Sequence, residues 1–68
     1  MTIEFSTGEY EWTYGKAPRG YGYWAFEIEG HEFWAHGKYG DAKKAAAAEA
    51  RRLAPKGYVG SVRIKVLT

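Results

Sequence analysis

The sequence predicts one small α+β domain over residues 1–68, in which an antiparallel sheet of four to five strands packs on one alanine-rich helix. Three observations predict this fold: apolar and polar residues alternate in the middle of the chain, an alanine-rich segment follows, and a second alternating segment lies near the end. With 68 residues, the chain is long enough for one core. The expected order of elements is β-β-β-β-α-β.

The first twenty residues predict two strands and a loop. Residues 2–6 alternate and are short, which is why the expected sheet has four to five strands. Tyr10, Trp12 and Tyr14 then alternate with polar residues, which predicts a strand with its rings on one face. Residues 15–20 contain two glycines and a proline and predict a loop.

The middle of the chain predicts a hairpin. Residues 21–29 form the first strand, with Trp24, Phe26 and Ile28 expected to face the core. Gly30 and His31 are expected to form a two-residue turn with glycine in its first position.

Residues 32–38 then return as the partner strand of this hairpin. Phe33 and Ala35 share one side of that strand, and Trp34 and His36 share the other. The pattern leaves open which of the two sides faces the core.

Residues 42–54 contain seven alanines and predict a helix that Asp41 could cap. One stripe at helical spacing consists of Ala42, Ala46, Ala50 and Leu53, and its small side chains would let the helix lie close to the sheet. Residues 58–67 predict the last strand, in which Val62, Ile64 and Val66 face inward.

Several classes of protein are disfavoured by the composition. The chain has no cysteine, and no apolar run approaches the roughly 20 residues of a membrane span. The first residues, MTIEF, lack the layout of a signal peptide, so we expect a cytoplasmic protein with no membrane contact. His31 and His36 should point to opposite faces of a strand, which argues against joint metal binding. Because no catalytic constellation assembles, we expect no enzyme, no metal and no cofactor.

Charge is sorted along the chain. Residues 1–40 carry six acidic and three basic residues, whereas residues 41–68 carry two acidic and seven basic residues. Such sorting is typical of proteins that associate with a charged partner, although a dipolar surface also keeps a small domain soluble.

The outer face of the predicted sheet is the first candidate interaction surface. Twelve aromatic rings exceed what one sheet face needs to cover a helix, so some must be exposed, and exposed aromatic clusters often mark contacts. The alternative is that rings cover both faces only for stability. The predicted protein-binding residues are Glu11, Tyr21, Tyr23, Glu27, Glu29 and Trp34.

A basic surface is the second candidate, because basic clusters bind nucleic-acid phosphates through counterion release. A solvated helix face has the same appearance in sequence. The predicted nucleic-acid-binding residues are Lys16, Arg19, Lys43, Lys44, Arg51, Arg52, Arg63 and Lys65.

Two segments resemble a DNA-binding family. The runs WAFEI at 24–28 and GKYG at 37–40, followed by Ala42, Ala45, Ala46 and Ala50, are similar to the plant AP2-type and integrase arm-type DNA-binding domains. This resemblance implies a three-stranded sheet that enters the major groove and a helix behind it. Those families carry Arg and Lys on the sheet, where this chain has Glu27, Glu29 and Glu32.

The helix at 41–54 followed by the segment GYVGSVRI at 57–64 resembles, in build, small phage-encoded anti-CRISPR proteins. This resemblance implies an inhibitor that docks on a bacterial RNA-guided defence complex. An acidic, aromatic sheet face could then occupy a Lys- and Arg-rich channel that normally holds DNA. The leading hypothesis is therefore a non-enzymatic, phage-type inhibitor, and the alternative is a small DNA- or RNA-binding module.

Overall fold

The computed structural model describes residues 1–67; Thr68, the last residue of the predicted domain, lies outside the described residues. The α+β class is confirmed, but the order of elements is β-α-β-β-α-β. In chain order the elements are β1 (Thr2–Ser6), α1 (Gly8–Tyr14), β2 (Tyr21–Ile28), β3 (His31–Lys38), α2 (Tyr39–Leu53) and β4 (Ser61–Val66).

The predicted strand at 10–14 is wrong, because this segment lies in helix α1. Tyr10 and Tyr14 are four residues apart and share one side of the helix, with ring centroids 4.5 Å apart. Trp12 points away from the core. Gly15 ends the helix in the left-handed conformation, with φ of 72°, and its N–H donates to the Glu11 carbonyl at 2.8 Å.

The sheet is mixed, so the prediction of a purely antiparallel sheet is wrong. Its four strands lie in the order β1-β4-β2-β3. Strand β4 enters between β1 and β2, parallel to β1 and antiparallel to β2. Alternation determines which face a residue occupies but carries no strand direction, and for this reason the pattern could not reveal the parallel pair.

The core lies between one sheet face and α2, as predicted. Ala42, Ala46 and Ala50 are buried, and the fully buried large side chains lie on the strands; they are Phe26, Ile28, Ile64 and Val66. Helix α2 packs mainly over β2 and β3. Small helix residues thus face large sheet residues, which lets the helix backbone lie close to the sheet.

Helix α2 begins at Tyr39, two residues before the predicted cap. Lys38 takes the N-cap position in extended conformation and forms no side-chain capping bond. Asp41 lies instead in the first turn, where its negative charge suits the helix dipole. At the other end, the N–H of Ala54 donates to the Ala50 carbonyl at 3.0 Å and closes the last turn.

The hairpin turn consists of Glu29 and Gly30, not of Gly30 and His31 as predicted. Their φ angles are 48° and 84°, and positive values at both central residues define a type I′ turn. This turn suits the right-handed twist of the two strands, and it pairs Ile28 with His31.

The same register settles the facing of β3, which the sequence left open. Phe33 and Ala35 pack against the core, while Trp34 and His36 lie on the opposite face. No helix among residues 1–67 is long and apolar enough to cross a membrane.

Candidate interaction surface

We call the sheet face opposite α2 the outer face. Trp24, Phe26 and Ile28 point toward α2, so the odd-numbered residues of β2, which alternate with them, point away from it. Tyr21 and Tyr23 are 72% and 71% exposed, and Trp34 of β3 is 54% exposed. These side chains therefore present large apolar area to solvent.

Four rings form a group on this face, which we call the ring cluster: Tyr21, Tyr23, Trp34 and His36. Tyr23 lies directly across from His36, with ring centroids 4.5 Å apart. Tyr21 meets the same imidazole edge-on at 5.7 Å. Contacting rings restrict each other's rotation, so this part of the cluster is ordered before any partner arrives.

A pair of carboxylates lies next to the ring cluster. Glu27 and Glu32 stand directly opposite each other on β2 and β3. The indole Nε1 of Trp34 donates to Oε1 of Glu32 at 2.8 Å, and Nζ of Lys65 lies 4.0 Å from Oε1 of Glu27. Like charges directly across two strands destabilise a sheet, so a further cation near this pair would be stabilised.

Helix α1 borders the outer face. Oε1 of Glu9 lies 3.9 Å from Nζ of Lys65, which projects from the outer face of β4. Trp12 is three residues after Glu9 and shares its side of the helix. At 91% exposure, Trp12 extends the aromatic surface at this border.

The structure brings together four of the six predicted protein-binding residues: Tyr21, Tyr23, Glu27 and Trp34. Glu11 lies on α1, where its carboxylate accepts a hydrogen bond from the Thr7 hydroxyl. Glu29 lies in the turn and lines a cleft with Leu53 at the end of α2. The outer face is consequently less acidic than the sequence implied.

Sequence reasoning missed Glu32, His36 and Lys38 as members of the outer face. Glu32 stands opposite Glu27, His36 opposite Tyr23, and Lys38 opposite Tyr21, and all three partners are predicted protein-binding residues. Alternation with Trp34 on β3 was the signal that could have identified them; the wrong turn shifts the register by two residues, which changes the residues opposite them but not the face they lie on. Trp12 was missed because α1 was taken for a strand.

The predicted basic residues do not form one surface. Lys44 and Arg51 are exposed on α2, whereas Arg63 and Lys65 project from the opposite side of the sheet. Lys16 and Arg19 are exposed in the loop before β2. The sheet thus separates the helix cations from the strand cations.

Two of the helix cations have partners within the chain. Nζ of Lys43 lies 5.1 Å from the centre of the Phe5 ring and 5.5 Å from that of Tyr39. Nη2 of Arg52 lies 2.6 Å from Oε2 of Glu49. The hydrogen bond between these two side chains lowers the pKa of Glu49 and raises the pKa of Arg52.

Comparisons with protein-family models, curated proteins and solved structures find no match to this chain. Among residues 1–67, no group of three or more His, Asp or Glu side chains is placed to hold a metal ion. Function is therefore argued from the surface itself.

Proposed function

We propose that this chain is a non-enzymatic binding domain that docks its outer face on a partner protein. One observation carries the proposal: the ring cluster and the Glu27–Glu32 pair share the sheet face opposite α2. Tyr and Trp are enriched in protein interfaces and among their energetically dominant contacts.

The rings are well suited to binding because their ordering cost is low. Tyrosine and tryptophan provide large contact areas with only two side-chain rotations each. Tyr23 is already held against His36, and the indole of Trp34 is held by Glu32. Binding would therefore lose little conformational freedom at these positions.

The chemistry of the face favours a partner surface that presents Arg or Lys. A guanidinium or ammonium group could lie over Tyr23 or Trp34 and gain a cation–π interaction. The same group could approach Glu27 and Glu32 and relieve their mutual repulsion. The charges of this face are therefore complementary to a cationic surface.

A finer proposal follows from the resemblance to anti-CRISPR proteins: the partner is a bacterial RNA-guided defence complex, and the chain acts as a phage-type inhibitor. The carboxylate pair would compete with DNA phosphates for the Lys and Arg side chains of a DNA channel. Titration of purified complexes with and without target DNA tests this. Loss of binding when DNA is already bound supports it, and binding unaffected by DNA contradicts it.

The docking face itself is tested with two variants on β2, Tyr23→Ala and Glu27→Lys. After the partner has been isolated with the unmodified chain, calorimetry should show that Tyr23→Ala weakens affinity by about 30-fold, the loss expected at a dominant contact. Glu27→Lys should also weaken binding through charge reversal.

Tyr58→Ala is the matched control, since Tyr58 is a part-exposed ring in the segment between α2 and β4. Thermal unfolding of every variant separates binding from folding. Full affinity of folded Tyr23→Ala and Glu27→Lys would refute docking through the outer face.

The nucleic-acid alternative has its own discriminating experiment. Titration with duplex and single-stranded oligonucleotides at low salt should show no tight binding if the chain is a protein-binding domain. Affinity that falls steeply with salt and is lost in Lys44→Glu and Arg51→Glu would instead support a nucleic-acid-binding module.

A further inference from the structure

Strand β3 is an edge strand, because in the order β1-β4-β2-β3 it pairs with β2 on one side only. The turn decides which of its backbone groups remain free. His31 closes the turn against Ile28, so the backbone groups of alternate residues from His31 onward face β2. The backbone N–H and C=O groups of Glu32, Trp34 and His36 face away from the sheet, as does the N–H of Lys38; the Lys38 C=O instead begins the hydrogen bonding of α2.

This edge has few of the features that prevent strands from pairing between molecules. It is eight residues long, contains no proline and pairs with β2 in continuous register without a bulge, although Gly37 takes a φ of 131° beside Lys38. Proteins usually protect free edges with proline, bulges, inward-facing charges or charged edge residues; of these β3 has only Glu32 and Lys38, whose opposite charges can pair between two copies. Strand β3 is therefore available as a template for a further strand.

We propose that β3 pairs antiparallel with β3 of a second copy of this chain, about a two-fold axis at Ala35. In this register Glu32 of each copy stands opposite Lys38 of the other, and Trp34 stands opposite His36. Symmetry repeats both pairs, so the interface contains two cross-strand ion pairs and two aromatic pairs. Opposite-charge and aromatic pairs are the cross-strand contacts that stabilise sheets.

The neighbouring two-fold registers are less favourable. Only alternate residues have outward backbone groups, and these must stand opposite one another in the new pair. The two-fold axis can therefore lie at a residue of β3 but not between two residues. An axis at Trp34 places that indole opposite itself and moves Lys38 beyond the paired segment. An axis at His36 leaves Glu32 without a strand residue opposite it. Charge complementarity thus selects the axis at Ala35.

The position of α2 is compatible with this dimer. The helix packs over β2 and β3, and strands are about 4.8 Å apart, so two helices related by the axis would lie roughly 10 Å apart. Packed helices are separated by 8–10 Å when the contacting residues are small. The two helices would therefore lie within packing distance of each other.

The flank of α2 toward the β3 edge carries a small residue at its centre. Lys43 reaches across to Phe5 of β1, so the opposite flank faces β3. Leu53 lines a cleft with His31 of β3, and Ala45 lies two turns before Leu53 on this flank. Ala45 is exposed, so a second helix would meet a methyl group there.

The dimer is independent of the proposed docking function, but it would enlarge the outer face. Two four-stranded sheets would join into one eight-stranded sheet, and the two ring clusters would become continuous across the axis. The two proposals share side chains of β3, but their tests are distinct: docking is tested with variants at Tyr23 and Glu27 on β2, and the dimer with variants at Glu32 and Lys38 on β3.

Sedimentation equilibrium over a range of protein concentrations tests the dimer. The unmodified chain should dimerise, and Glu32→Lys and Lys38→Glu should each raise the dissociation constant at least about tenfold, because like charges then face each other twice. The double variant E32K/K38E should restore the affinity. A monomer at every soluble concentration overturns the proposal, as does a double variant no tighter than the single ones.

Two charge reversals away from β3 serve as controls, Glu4→Lys on β1 and Lys56→Glu in the segment before β4; both should dimerise like the unmodified chain. Circular dichroism verifies that each variant is folded. Amide hydrogen exchange gives a second measurement: in the dimer the amides of Trp34, His36 and Lys38 should be protected although they face away from β2. Rapid exchange of these three amides in a dimeric sample would refute pairing through β3.

Discussion

Tyr39 contacts both the loop before β2 and the buried core. It is the first residue of α2, and its backbone N–H donates to the Gly20 carbonyl at 2.8 Å. Its ring lies 4.9 Å from that of Trp24, measured between centroids. Burial raises the pKa of the Tyr39 phenol, and the nearby Tyr10 raises it further.

The raised pKa of Tyr39 predicts a loss of stability in alkali. The neutral phenol is favoured in the folded state, so its stabilisation is fully present below the pKa of an unfolded tyrosine, about 10. It is lost as pH rises through the higher pKa of the folded state. Urea unfolding at a series of alkaline pH values should show a smaller decline for Tyr39→Phe than for the unmodified chain. Identical declines would contradict the assignment.

At the scale of elements, the contact between α2 and the sheet depends on small helix residues. Ala46 is completely buried, whereas Ala48, two residues later, is exposed. A larger residue at 46 would have to push the helix away from Phe26 and its neighbours, because protein interiors have no spare volume. The same change at 48 would extend into solvent.

We therefore expect Ala46→Leu to lower the free energy of unfolding by about 1–3 kcal/mol, the usual cost of overpacking. Ala48→Leu is the matched control and should change it by no more than about 0.5 kcal/mol. Urea denaturation measures both. Equal stability of the two variants would show that α2 does not lie against the sheet as described.

The two helices differ in how well their sequences predict them. The segment 42–54 is long and alanine-rich, so the helix and its buried alanines could be predicted, whereas Leu53, predicted on the same stripe, is exposed. In α1 only seven residues were available, and over so short a segment rings at every second position fit a strand as well as a helix. The acidic first turn and Gly15 were the capping signals that favoured a helix.

The candidate site was predictable where it depends on local alternation and not where it depends on register. Tyr21, Tyr23 and Glu27 share a face because they alternate on one strand. The partners opposite them, Glu32 and His36, depend on which residues form the turn, and a glycine at position 30 fits either of two turns.

At the scale of the whole molecule, the position of β4 organises the fold. It is the last strand in sequence, yet it lies inside the sheet and pairs with the first strand. The sheet is therefore complete only when both ends of the described chain are in place. Such non-local pairing is not encoded in any short segment, and this explains why the mixed topology could not be predicted.

The three tryptophans differ in solvent exposure: Trp24 is buried, Trp34 is half exposed and Trp12 is almost fully exposed. Their intrinsic fluorescence should accordingly be quenched by iodide in the order Trp12, Trp34, Trp24. Variants that retain a single indole would distinguish fraying of α1 from melting of the entire domain. Coincident transitions of the Trp12 and Trp24 emissions would show that the short helix and the core unfold together.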